Sequence, residues 1–134
     1  MRDIIFRGIP KTEDIPEGLK ENMIGEYVYG FLVKEGGSAY IVGNVIDVDS
    51  DYIALDYWTE VRPESVGQYS GIDDEAGNKI FDGDHVEGFV PFSESDEDVS
   101  GKVVFENGAF CVDGERYWPC LFEVRDLKIG DKNE

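Results

Sequence analysis

The chain has 134 residues, of which 41% are hydrophobic and 13% are aromatic. This length and composition suit one or two small folded domains and exclude a fully disordered protein. Acidic side chains number 30 against 12 basic ones, for a net charge of -18. This charge excludes direct binding to nucleic acid or to an anionic membrane, because neutralising phosphate requires a basic surface.

The first half of the chain is predicted to form short strands separated by turns. Residues 4–6 are apolar, and Pro10 and Pro16 then interrupt the chain, with a helical turn expected at 12–15. Aromatic and β-branched residues predict strands further on. These strands are residues 26–34, 39–48 and 52–58.

Turn signals dominate the second half. Residues 68–88 read as a run of turns, and the acidic stretch 93–98 reads as a mobile loop because it has nothing apolar to bury. Asn107-Gly108 and Asp113-Gly114 are typical of two-residue hairpin turns, in which both central residues need positive φ. Two such hairpins in succession predict a three-stranded meander.

The end of the chain gives weaker signals. Pro119 is expected to end the third strand of that meander, and residues 121–127 suit either a strand or a short helical turn. Residues 131–134 are expected to be a frayed tail. No apolar run approaches the roughly 18 residues of a transmembrane helix. The apolar stretch near Met1 is too short for a signal peptide, so we expect a cytoplasmic protein.

Three stretches resemble a known family. They are the opening Arg2–Arg7, the segment Val61–Asp74 with its Pro-Glu-Ser-Val-Gly-Gln-Tyr-Ser-Gly string, and Gly77–Val86. The last is similar to a Gly-Lys-x-Ile-Tyr-Glu-Gly-Asp-Ile-Val element. In this order and spacing they resemble the YopX-like proteins of bacteriophages and prophages.

This sequence departs from the family pattern at three positions, and the resemblance implies a fold and an origin. Ser65 and Ser70 stand where Thr is usual, and His85 stands where an aliphatic residue is usual. The family implies a mainly β fold with little helix, a small twisted or SH3-like barrel in the C-terminal part and an N-terminal β extension. It also implies a phage or prophage origin, and it carries no established activity.

The strand and turn patterns, together with the family resemblance, give the expected domain organisation. Residues 1–66 form an N-terminal β region, residues 67–130 form the SH3-like barrel region, and the two are expected to share one compact unit. Exposed strand edges in such a small β protein suit homo-oligomerisation.

One acidic pattern resembles a calcium loop. Asp47, Asp49 and Asp51 alternate as the first ligands of an EF-hand do. However, Tyr52 stands at the glycine position and Trp58 at the twelfth, which needs a carboxylate. An acidic hairpin turn is therefore the favoured interpretation.

Four aspartates in the family signature are candidates for an interaction surface. The structural interpretation is that short carboxylates beside turn glycines cap turn N–H groups. The functional alternatives are a surface loop that a partner recognises, or a loop that holds a hard cation weakly. These residues are Asp73, Asp74, Asp82 and Asp84.

Nucleophilic and metal chemistry have little support. His85 is the only histidine, and no Gly-x-Ser-x-Gly elbow accompanies it. The predicted hairpins pair Cys111 with Arg116 and with Val104, leaving Cys120 opposite neither position, so two free thiols are expected. Two cysteines and one distant histidine are too few for zinc, and no cofactor is expected.

The remaining site candidates are aromatic. Tyr117 and Trp118 immediately precede Pro119 and suit a ligand-binding patch of the kind that SH3-like barrels carry. The favoured function is a non-enzymatic accessory protein of a phage or prophage that acts through contacts with an unidentified protein. The alternative is an acidic nucleic-acid mimic that inhibits a DNA- or RNA-binding protein. An enzyme built on unpatterned carboxylates is the third hypothesis.

Overall fold

The structure is a computed structural model that describes residues 3–92 and 94–130. Arg2, Ser93 and the predicted tail at 131–134 lie outside the described residues. The described chain divides into two compact units, residues 3–68 and residues 69–130. The expectation that both regions share one compact unit stays a prediction.

An antiparallel sheet forms most of the first unit. Its strand order is β7-β4-β3-β1, and β1 also pairs with the first two residues of β8. Short β2 pairs with β3, and β5 and β6 form a separate hairpin. The elements are β1 Phe6–Gly8, α1 Glu17–Lys20, β2 Met23–Ile24, β3 Tyr27–Glu35, β4 Ser38–Val42, β5 Val45–Val48, β6 Ile53–Leu55, β7 Trp58–Val61, a 3-10 helix Pro63–Ser65, and β8 Gly67–Asp73.

The core of the first unit comes from alternate residues of these strands. Period-two alternation turns one face of each strand inward. The helix α1 adds one buried side chain to this face. The buried residues are Leu19, Val28, Ala39, Ile41 and Val61.

The short helix lies later than the sequence predicted. The turn expected at 12–15 is wrong, and α1 begins after Pro16. The Pro16 carbonyl accepts hydrogen bonds from the N–H groups of Leu19 and Lys20, at 3.0 and 3.1 Å. A proline can stand before the first helical turn because the missing N–H would have no helical partner there. Burial of Leu19 then anchors α1 to the core.

The strands predicted at 39–48 and 52–58 are each split in two. The break follows β4 at Gly43, whose N–H donates to the Tyr57 carbonyl at 2.9 Å. A Cβ at Gly43 would overlap Asp56 and Tyr57, so the two chain segments cross closely only with glycine there. Beyond this crossing the chain forms the β5–β6 hairpin, while the strand at 26–34 is confirmed as β3.

The second unit contains a four-stranded antiparallel sheet in the order β12-β11-β10-β13, and β9 pairs with β8. Its elements are β9 Lys79–Phe81, β10 His85–Val90, β11 Glu97–Glu106, β12 Ala109–Asp113, a 3-10 helix Leu121–Glu123, and β13 Arg125–Ile129. Its buried hydrophobic cluster is Ile80, Val86, Val90, Val99, Val103, Val112, Leu121, Val124 and Leu127.

The β11–β12 hairpin is confirmed. Its turn is Asn107-Gly108, with φ of 52° and 82°, and Glu106 pairs with Ala109 across it. Both turn residues therefore occupy the left-handed region that this two-residue turn requires.

The second predicted hairpin, at Asp113-Gly114, is wrong. Gly114 N–H instead donates to the Val112 carbonyl at 3.0 Å, and the chain runs irregularly until Cys120 lies opposite Cys111. A Cβ on Gly114 would lie 2.9 Å from the Tyr117 carbonyl oxygen, so the chain folds closely back on this glycine. The alternatives left open for 121–127 are both present, a 3-10 helix followed by β13.

Two other stretches contain more strand than predicted. The run of turns at 68–88 contains β9 and most of β8 and β10, although positive φ at Gly77 and Gly83 keeps the turns between them. The acidic loop is shorter than expected because β11 begins at Glu97. The exposed polar residues Asp98, Ser100 and Lys102 alternate with buried Val99 and Val103, so Asp98 occupies the solvated face.

The fold-class prediction of a mainly β protein with little helix is confirmed. The SH3-like form of the second unit stays a prediction. Across the residues described, no helix has both the length and the apolar character needed to cross a membrane.

Candidate functional site

A groove with a volume of about 530 Å³ lies in the second unit. Aromatic and proline side chains supply most of its wall, and we call it the aromatic groove. It is lined by Val90, Pro91, Phe92, Tyr117, Trp118, Pro119, Phe122, Glu123 and Arg125.

Three segments of the chain form the groove. Phe92 follows the end of β10, Tyr117 and Trp118 belong to the irregular segment after β12, and Phe122 lies in the 3-10 helix before β13. The rings of Phe92 and Tyr117 meet edge to face with centroids 6.1 Å apart, a favourable aromatic geometry. The Tyr117 hydroxyl donates to the Glu97 carbonyl at 3.5 Å, which connects this segment to β11.

The 3-10 helix is oriented by a cap and a buried neighbour. Cys120 N–H donates to a Glu123 carboxylate oxygen at 3.1 Å. Leu121 is 1% exposed and belongs to the core of the second unit. Phe122, the next residue, is 70% exposed because the residue before it occupies the interior.

Three of the groove's aromatic side chains remain open to solvent. Phe92 is 54% exposed, Trp118 is 50% exposed and Phe122 is 70% exposed. Single exposed hydrophobic residues are common, but clustered ones indicate an interaction or ligand site. The groove is therefore the strongest candidate site in the described chain.

Charges of both signs surround the groove: Glu123 and Arg125 line it, and acidic groups lie beside Tyr117. Burial, and then the charges of Glu97 and Asp98, raise the pKa of Tyr117 despite the opposing effect of Arg116. An Arg116 guanidinium nitrogen lies 3.8 Å from a Glu97 carboxylate oxygen, with both side chains substantially exposed. Acidic groups beside an apolar wall favour a ligand with both apolar and cationic groups.

Asp74 serves the turn between β8 and β9. Its carboxylate accepts hydrogen bonds from the N–H groups of Ala76 and Asn78, at 3.0 and 2.8 Å, and from the Asn78 side-chain amide. Burial alone would raise the pKa of Asp74, but these bonds and one from the Ile129 backbone outweigh it and lower the pKa. Asp74 is buried, and its hydrogen bonds to Ala76 and Asn78 show that its carboxylate caps this turn.

The other three aspartates lie in different settings. Asp84 is buried, and its carboxylate accepts a hydrogen bond from Phe81 N–H at 2.9 Å across the β9–β10 turn. Asp73 is exposed and accepts a hydrogen bond from the Tyr69 hydroxyl, while Asp82 is half-buried. None of the four lines the aromatic groove.

The acidic pattern after Asp47 forms a hairpin turn, as predicted. An Asp49 carboxylate oxygen accepts hydrogen bonds from the N–H groups of Asp51 and Tyr52, at 2.7 and 3.2 Å, between β5 and β6. The Tyr52 hydroxyl donates to Asp47. No group of three or more His, Cys, Asp or Glu side chains in residues 3–92 and 94–130 is arranged to hold a metal ion.

His85 has a serine neighbour that the sequence did not reveal. Its Nε2 lies 3.0 Å from the Ser100 hydroxyl, and both residues line an open acidic depression beside β10 and β11. In a nucleophilic triad a third group would hold the other ring nitrogen. Within the described chain no carboxylate is hydrogen-bonded to His85 Nδ1.

Sequence reasoning identified two of the four aromatic residues that line the groove. Tyr117 and Trp118 were candidates and do line it, whereas Phe92 and Phe122 were missed. The available signal was the pairing of an aromatic residue with a proline in both Pro91-Phe92 and Trp118-Pro119. Bringing these pairs together required the pairing of β10 with its neighbours, which local patterns do not specify.

Comparison with known proteins yields one match. The family model described as YopX protein matches residues 20–129, which include the whole aromatic groove. No curated protein and no solved structure matches the chain. Because the family model covers most of its length, the chain belongs to the YopX family.

Proposed function

We propose that this protein is a non-enzymatic interaction module that binds an extended, proline-containing basic segment of another protein in the aromatic groove. The observation that carries the proposal is the clustering of exposed Phe92, Trp118 and Phe122 beside two prolines. Aromatic-lined grooves receive polyproline II segments because these are preformed and lose little entropy on binding. The YopX resemblance supports an accessory role in a phage or prophage, within the bacterial cytoplasm.

Charge complements the apolar wall. The net charge of -18 and the acidic groups beside Tyr117 attract a cationic partner and repel nucleic acid. Stacking on the aromatic rings supplies affinity, while the carboxylates provide steering and register. Both properties together describe a basic segment that contains proline.

The test is selection from a random peptide library followed by calorimetric titration of a synthetic peptide that represents the selected consensus. We expect enrichment of proline with lysine or arginine. Trp118→Ala should weaken binding of that peptide by about 2 kcal/mol, roughly thirtyfold, as for a central aromatic hot spot. Selection of no consensus, or equal binding by Trp118→Ala, would contradict the proposal.

Trp58→Ala is the matched control. Trp58 is 65% exposed, belongs to the first unit and does not line the aromatic groove. It should bind the selected peptide as the unchanged protein does. Circular dichroism of both variants checks that the fold is retained.

Salt dependence distinguishes the groove from the acidic-mimic alternative. A mimic relies on charge, so its binding to a basic protein should fall by more than about a hundredfold between about 50 and 200 mM salt. Groove binding should fall by less than about tenfold, because apolar contacts are not screened. Polylysine serves as a purely cationic probe, and its binding should not depend on Trp118.

The non-enzymatic part of the proposal has its own test. His85 and Ser100 are the side chains most suited to activate a nucleophile among those described. We expect no labelling by a fluorophosphonate probe, which reacts with activated serines. Labelling that disappears in both Ser100→Ala and His85→Ala would show an enzyme.

A further inference from the structure

Cys111 and Cys120 are directly opposed across an antiparallel bridge. Val112 N–H donates to the Pro119 carbonyl at 3.0 Å, which joins the two residues that flank this pair. The cysteines therefore occupy a non-hydrogen-bonded position, where Cα atoms lie about 4.5 Å apart and side chains are closest. A disulfide requires Cα atoms roughly 4.4–6.8 Å apart, so the backbone is already placed for one.

The two thiols also contact each other and are partly exposed to solvent. Both are free and half-buried. Burial, the neighbouring Cys120 and a hydrogen bond with it raise the pKa of the Cys111 thiol. Glu123 N–H is directed at the Cys120 sulfur from the following 3-10 helix, which holds this side chain in place.

We propose that Cys111 and Cys120 are a reversible oxidation site. The two residues form an intramolecular disulfide by exchange with a small-molecule disulfide such as oxidised glutathione. Cys120 thiolate attacks one glutathione sulfur, forms a mixed disulfide and releases one glutathione. Cys111 then attacks the Cys120 sulfur, forms the protein disulfide and releases the second glutathione. Two electrons pass from the cysteines to oxidised glutathione, and the two thiol protons end on the released glutathiones.

The structural consequence is local. The new bond ties β12 to the segment that carries Trp118 and Phe122, closing a loop that contains Arg116. This inference does not depend on the proposed function, because it concerns only the bond and its loop.

The experiment equilibrates the reduced, purified protein with glutathione buffers and reads intact mass. We expect loss of two hydrogen atoms with no retained glutathione, and an equilibrium constant for oxidation at least about tenfold larger in the native protein than in concentrated urea. A native constant equal to or below that in urea would overturn the proposal. So would stable addition of two glutathiones or formation of cross-linked dimers.

Two variants test the order of attack. Cys111→Ser should retain one glutathione on Cys120, whereas Cys120→Ser should react more slowly because burial, which this substitution leaves in place, raises the pKa of Cys111. Equal or reversed rates would overturn the assigned order.

Trypsin verifies the connectivity. The Arg116 side chain is 82% exposed and lies inside the closed loop. Cleavage after Arg116 in the oxidised protein should leave the two fragments joined until a reductant is added. Fragments that separate without a reductant would overturn the assignment of the bond to this pair.

Discussion

Asp74 shows how a buried charge stabilises a turn. Its carboxylate accepts three hydrogen bonds from Ala76 and Asn78, and its pKa is lowered. Asp74→Ala should reduce the free energy of unfolding by about 1–2 kcal/mol at neutral pH, because these donors lose their acceptor. Urea denaturation of both proteins measures the difference.

The pH dependence of this loss has a definite sign. Because the pKa of Asp74 is lowered on folding, its stabilising effect is full above the ordinary aspartate pKa of about 4 and is lost as pH falls through the folded value. The difference between Asp74→Ala and the unchanged protein should therefore shrink below about pH 4. Exposed neighbour Asp73 is the control, and Asp73→Ala should cost less than about 0.5 kcal/mol at neutral pH. A pH-independent difference would contradict this account.

The β11–β12 turn allows backbone conformation to be tested separately from packing. A Cβ at Gly108 would contact nothing within 4 Å, but its φ is +82°. A Cβ at Gly37, in the β3–β4 turn, would also contact nothing, and Gly37 has no positive φ. Gly108→Ala should therefore destabilise the protein by about 1–2 kcal/mol, the cost of the left-handed region.

Gly37→Ala should instead leave stability unchanged or raise it by up to about 1 kcal/mol, because alanine restricts the unfolded chain. Thermal and urea denaturation measure both variants. Equal effects of the two substitutions would show that φ does not determine the stability of the turn.

The β5–β6 hairpin is the element best suited to the expected homo-oligomerisation. Its side chains Val45, Ile46, Val48 and Ile53 are 55–66% exposed. A lone two-stranded hairpin is marginally stable, so covering it would be favourable. Sedimentation should show a mass that rises above 15.0 kDa with concentration. Ile46→Lys combined with Ile53→Lys should keep the mass at that of one chain, and a monomer at every concentration in the unchanged protein would refute this role.

Local rules predicted some of these elements and missed others for a physical reason. The Asn107-Gly108 turn was predictable because the φ requirement lies within the turn itself. The opposition of Cys111 and Cys120 was not, since it arises where the chain folds back on Gly114. In the same way, Tyr117 and Trp118 were recognisable from adjacent residues, whereas Phe92 reaches the groove only through long-range strand pairing.

At the scale of the whole molecule, the charge of -18 opposes folding through self-repulsion. The ion pairs Lys11–Glu60, Lys20–Glu17, Arg116–Glu97 and Lys128–Glu75 join substantially exposed side chains, and such pairs contribute little. Raising NaCl from about 0.01 to about 0.3 M shortens the screening length from roughly 30 Å to below 10 Å, so Tm should rise at neutral pH. Near the isoelectric point of about 4.2 the net repulsion vanishes, and the same salt step should change Tm little. A Tm that is independent of salt at neutral pH would mean that the carboxylates are spaced widely enough for water alone to screen them.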